Sequence, residues 1–122
     1  MMTGWFLGAA VLGLGAGVVA GPRYPRAWLG VTLFSAVALL AAVETVNPTM
    51  PATLDAAALC KMADRGQIEG AVLDGPLAFD NAISAAAARI KGIVSPVAGQ
   101  ADILLVPDLE SGNMLAKQLE YL

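Results

Sequence analysis

Apolar residues run without a charge from Gly4 to Gly21, and they resume from Ala27 to Val43 after a short polar break. From Glu44 onward the pattern changes to brief apolar runs separated by polar, proline- and glycine-punctuated stretches. The first run, "GWFLGAAVLGLGAGVVAG", predicts an apolar helix over 4–21. At ~1.5 Å per residue such a helix reaches ~27 Å, a little under a ~30 Å hydrocarbon core. Trp5 sits where an interfacial aromatic would sit. Gly13, Gly17 and Gly21, like Gly4 and Gly8, recur every fourth residue and place small side chains on one face. A membrane contact through 4–21 is therefore expected. A cleaved secretory signal is disfavoured, because no Lys or Arg precedes the apolar run.

"GPRYPR", Gly21 to Arg26, is a breaker cluster carrying both bases of the N-terminal third. Basic flanks stay cytoplasmic. One span ending before Arg23 leaves the rest of the chain in the cytoplasm, whereas a second span through 27–43 would export it. "VALLAAVE" from Val37 suits a buried parallel strand instead. Residues 1–36 then form an apolar leader: the 4–21 helix, the Pro/Arg loop and a helical extension over 27–36.

Beyond "NPTMP" the segments alternate in type. "PATLDAAALCKMADRG" predicts a helix with Pro51 in its first turn, Gly66 as its stop, and an inward face of Leu54, Ala58, Leu59 and Met62. Ile68 to Leu73 predicts a strand ending at Asp74-Gly75-Pro76. "LAFDNAISAAAARIKG" predicts one helix stopped by Gly92, "IVSPVAGQAD" a loop, and Ile103 to Pro107 a third strand. A last helix over "ESGNMLAKQLEYL" has Asn113 as a candidate cap. The βαβαβα order implies an α/β fold with a partial parallel sheet over 37–122.

Composition sharpens this division. Hydrophobic residues make up 57% and charged residues 14%, yet all ten acids lie from Glu44 onward. The five bases there are scattered among those acids, so no nucleic-acid footprint exists. With no His and one Cys, there is no disulfide framework and no metal cluster to predict. Cys60 lies inside a predicted helix and suits core packing better than nucleophilic duty. "GAGVVA", Gly15 to Ala20, fits G-x-G-x-x-A, but the first acid after it is Glu44, too distant for a ribose contact.

In parallel sheets, ligands bind beyond the carboxyl ends of the strands. Polar residues cluster at three such ends: Glu44 and Asn47, then Asp74 and Asp80, then Asp108, Ser111 and Asn113. Each acid alone reads as a turn or cap. Together they mark an edge without specifying a reaction. Lys61, Arg65, Arg89, Lys91 and Lys117 fall on predicted helices and are expected to be solvated.

The strings "VALLAAVETVNPTMPATLDAAALCKMADRGQIEGAVLDGPLAFDNAIS" and "KGIVSPVAGQADILLVPDLESGNMLAKQLEYL" resemble the phosphate acetyl/butyryltransferase family. The butyryl-type and enoyl-hydratase-linked members are the most similar. "DGPLAFDNAIS" and "GQADILLVPDLESGN" are the most specific parts. The resemblance implies a fold like that of the isocitrate and isopropylmalate dehydrogenases, a homo-oligomer, and a cytoplasmic location for 37–122. It implies acyl transfer between coenzyme A and inorganic phosphate, both as substrates, with no metal and no bound cofactor. It carries over Asn47, Pro48, Asp74, Gly75, Pro76, Asp80, Asn81, Asp108, Gly112 and Asn113 as scaffolding or cleft-lining residues. The family's Ser-Arg pair and following Asp have no counterpart before Leu122, so the catalytic residues stay unassigned and low or no activity is expected of an incomplete copy. Two alternatives compete: a small membrane-anchored, non-catalytic interaction protein, and a hybrid or truncated reading frame joined near Ser35 to Val37.

Overall fold

The computed structural model describes residues 17–20 and 35–122. Its elements are β1 (Gly17–Ala20), β2 (Ser35–Leu40), α1 (Pro51–Asp64), β3 (Ala71–Leu77), α2 (Phe79–Ile83), α3 (Ala85–Ile90), β4 (Ile103–Val106) and α4 (Leu109–Tyr121). They build a sheet in the order β1-β4-β2-β3. Strand β2 runs parallel to both β3 and β4, as the βα alternation predicts.

β2 is central and covered on both faces, which is why it reads as an unbroken apolar run rather than an alternation. Ala38 and Leu39 are almost wholly buried. The core gathers Ala38, Leu40, Leu77, Ala82, Val97, Leu104 and Val106. Two glycines set the spacing of the layers. A Cβ on Gly75 would stand 2.6 Å from Leu39 Cβ and 3.3 Å from Ala56 Cβ, so β3 passes close under both. A Cβ on Gly112 would stand 2.8 Å from Val106 Cγ2, where α4 rests on β4.

Several expectations need correction. Gly17–Ala20 is not the end of a helix but a strand, antiparallel to β4 with Gly17 opposite Val106 and Ala20 opposite Ile103. The edge of β4 offers unpaired backbone groups, and a short apolar segment with two valines satisfies them. The rest of the expected 4–21 helix, and the extension over 27–34, lie outside the described residues. Among the described residues no helix is long and apolar enough to cross a membrane. β2 begins at Ser35, two residues before the expected strand.

α1 has the expected bounds but turns a different face inward. Thr53 and Ala56 are buried, while Leu54 and Met62 are exposed. Small side chains let the helix sit close to the sheet, and the larger ones point elsewhere. Gly66, with φ of 73°, follows it as the expected stop. Strand β3 does not end at Asp74 but runs through Gly75 and the cis-linked Pro76 to Leu77. Among the described strands β3 pairs only with β2, and an edge strand tolerates the missing N–H of proline. The single helix expected over 77–92 is two, because Ser84 is extended (φ −116°, ψ 113°). Its hydroxyl accepts the Ala87 N–H and starts a new helix instead of continuing the old one. Asn113 does not cap α4; Asp108 does.

Candidate active site

The carboxyl ends of β2, β3 and β4 lie on one edge of the sheet, and the segments that follow them shape it. After β2 the chain turns at "NPTMP". Asn47 Oδ1 accepts from the Thr49 N–H (3.0 Å) and hydroxyl (2.8 Å), an Asx turn that suits Asn before Pro. The buried Thr53 hydroxyl accepts the Asn47 N–H at 2.9 Å and donates back to the carbonyls of Met50 (2.8 Å) or Asn47 (3.0 Å). Asn47 and Pro48 thus shape the approach to α1.

After β3, Asp80 and Asn81 open α2. Asn81 is fully buried. Its Nδ2 donates to Glu44 Oε2 at 3.4 Å, and its carbonyl accepts the Gly99 N–H at 2.8 Å. Its Oδ1 meets no donor among the described residues. Lys91 Nζ lies 3.2 Å from Glu44 and 3.2 Å from Asp80. The two carboxylates raise the Lys91 pKa, Glu44 most, and the Lys91 ammonium holds that of Asp80 down. Lys91 is therefore not merely solvated: it bridges the segment after β2 to α2. Glu44 and Lys91 are 47 residues apart, and no local period signals their pairing.

After β4, Asp108 caps α4. Its Oδ1 accepts from both the backbone N–H and the hydroxyl of Ser111, each at 2.7 Å. Those bonds, the backbone one foremost, hold its carboxyl below the ordinary range. Asp108 is thus an acceptor already in use.

Asp74, Gly75 and Pro76 lie within β3. Asp74 Oδ1 accepts the Gly75 N–H at 2.9 Å, and the Cys60 thiol donates to the Gly75 carbonyl at 3.6 Å. Burial pushes the Cys60 thiol up to about 11, with the charge of Asp74 adding to the effect. A thiol so held is a packing group. Gly112 lies against Val106, and Asn113 is exposed on α4. Asp102 has a role that the strand-end pattern did not single out. Its carboxylate accepts the Ala36 N–H at 2.9 Å, fastening β4's approach to β2 at the opposite edge.

Between the segments after β2 and β4 lies an open cleft of about 500 Å³. Leu40, Met50, Phe79, Val106 and Leu115 are the large apolar side chains of its wall. Asp108 and Ser111 stand on it, and among the described residues no Lys or Arg does. Of the ten residues singled out by resemblance, Asp108 alone lines this cleft. Asp80 and Asn81 join the Lys91 cluster, and the other seven shape backbone or lie apart from both. Among the described residues no three Asp, Glu, Cys or His side chains converge as a metal site. The arrangement can hold an apolar group and fix loops around it. Among the described residues it presents no activated nucleophile.

The family model described as phosphate acetyl/butaryl transferase matches residues 31–122. A phosphate acetyltransferase of Rickettsia prowazekii is 77% identical over 86 residues, covering 70% of this chain and 24% of the relative. A phosphate butyryltransferase of Clostridium acetobutylicum is 59% identical over 85 residues, with 70% and 28% covered. Among solved structures, a branched-chain phosphotransacylase from Enterococcus faecalis superposes with a TM-score of 0.64 at 37% identity, covering 73% of this chain and 33% of its own. This chain thus spans about a quarter of the length of these curated relatives. A match over three quarters of the sequence, carried by the same strands and strand-end loops that frame the cleft, makes this chain a member of the phosphate acetyl/butaryl transferase family.

Proposed function

We propose that the chain serves acyl transfer between coenzyme A and inorganic phosphate. The observation that carries this reading is the family match over residues 31–122. In the transfer, a phosphate oxygen attacks the thioester carbonyl carbon, and the tetrahedral adduct collapses. The C–S bond breaks, and the departing thiolate takes a proton from water. Such chemistry relies on positioning and on stabilising charge rather than on a histidine base.

In this reading Asn47, Pro48, Asp80, Asn81 and Asp108 hold the loops at the carboxyl edge, while Asp74, Gly75, Pro76 and Gly112 set the strand and helix spacing that supports it. Asn113 stands at the solvent face of α4. Residues from about 35, with Gly17–Ala20 added as an edge strand of the same sheet, form the transferase unit, working in the cytoplasm as a homo-oligomer. Among the described residues the cleft wall carries a carboxylate and no cation, so these residues hold phosphate weakly.

The test follows free thiol released from butyryl-CoA with and without phosphate. Release is expected to require phosphate and to stay below about 0.1 s⁻¹, since losing charge stabilisation costs about a hundredfold or more against an ordinary turnover of roughly 10 s⁻¹. Release independent of phosphate, or no release at all, would count against the reading.

A further inference from the structure

We infer that the outer edge of β4 joins two copies of this chain through exchange of the strand Gly17–Ala20. Each copy lends its β1 to the β4 of the other, in the antiparallel register that β1 takes within one chain. The inference stands apart from the transfer reading, and its test needs no acyl-CoA. β1 precedes the family-matched residues 31–122, so this joint is a feature of this chain.

Three observations carry it. First, β1 is held along one side. It ends the order β1-β4-β2-β3, so among the described strands it pairs with β4 alone. A ladder of four residues on a sheet edge is short, and such edges open at the low end of local stability. Second, the connection permits exchange. Ala20 and Val37 both stand opposite Ile103, one on each side of β4, so the chain need cross only about 10 Å to join β2. Residues 21–34 reach about 45 Å when extended, far enough to carry β1 to a neighbouring molecule. Third, the edge left behind suits this occupant. Ile103–Val106 carries neither charge nor proline to discourage pairing. The edge strand on the other side, β3, carries Asp74 and Pro76, and proline has no N–H to give. A second copy brings the same segment that already fits β4. The ladder is identical in either arrangement, so concentration decides between them. A connection of this length holds its own strand at an effective concentration of roughly 1 mM.

Two full-length chains are mixed to test this, Val18→Cys and Leu105→Cys, each also carrying Cys60→Ser. Val18 and Leu105 are Cα partners in the ladder, a spacing that a disulfide spans. Oxidised glutathione closes the bond between their thiols. At about 1 mM protein the mixed disulfide should exceed either like-with-like dimer roughly tenfold, and at about 10 µM it should fall away. A single chain carrying both cysteines should close on itself at about 10 µM and yield linked dimers at about 1 mM. Ala20→Cys with Ile103→Cys, at the other end of the ladder, repeats the test where Leu105→Cys unfolds the chain. A mixed disulfide no more abundant than the like-with-like dimers, or closure within one chain at every concentration, would overturn the inference. A dimer seen by light scattering without the mixed disulfide would also overturn it, and would put the contact of the proposed homo-oligomer on another surface.

Discussion

Gly112 and Cys60 show how single side chains set the framework of the edge. Gly112→Ala would gain helix propensity, but its methyl would meet Val106 Cγ2 at 2.8 Å. Val106 is buried and stiff at χ1, so α4 has to lift from β4. Overpacking of this kind outweighs the helix gain, and a net loss of about 1–2 kcal/mol is expected, read as a lower urea midpoint at unchanged slope. Cys60 supplies a pH signature. Its thiol titrates near 11 in the fold against an ordinary 9.0, so the folded state holds the proton more tightly. Its contribution to stability is complete below pH 9 and fades as pH rises toward 11. Wild type should therefore lose stability relative to Cys60→Ser between those values, and at pH 8 the native thiol should alkylate about a hundredfold more slowly than in urea. Equal alkylation rates would contradict the burial argument. The role of Cys60 as a packing group was legible from its helical setting. The pairing of Lys91 with Glu44 was not, since an ion pair between distant segments leaves no period in the sequence.

Elements were legible where periodicity and punctuation agreed. Pro51 and Gly66 frame α1, and "ILLV" reads as β4 without help from the structure. They were misread where one local signal outvoted tertiary context. "DGP" looks like a turn, yet an edge strand carries it through. "AISAAAARI" looks like continuous helix, yet Ser84 takes a strand-like conformation and caps α3. Ser84→Ala removes the acceptor of the Ala87 N–H, 3.2 Å away. A loss of about 1 kcal/mol is expected from that cap, and Ser84→Asp should restore most of it. A gain in stability with Ala would mean that α2 and α3 prefer to fuse. The inward face of α1 was the subtler miss. Leu54 and Met62 fit a helical stripe, but the close approach of β3 at Gly75 admits small residues on that side.

At the scale of the whole molecule, parallel β2, β3 and β4 bring three distant loops to one edge, and β1 completes the sheet from outside the family-matched residues. The three strand ends were visible in the sequence as clusters of Asn, Asp and Ser. The apolar cleft was not, because its wall draws on Leu40, Phe79, Val106 and Leu115 from four separate segments. Acyl transfer by this chain requires acyl-CoA to meet that edge. Backbone amide shifts recorded while butyryl-CoA is titrated into the chain test it most directly. Movement is expected at Leu40 to Ala42, Ala52, Thr53, Phe79, Asp108, Ser111 and Leu115, with Arg65 to Gly70 and Asp102 at the opposite edge unmoved. Shifts confined to the opposite edge, or none at saturating ligand, would contradict the account.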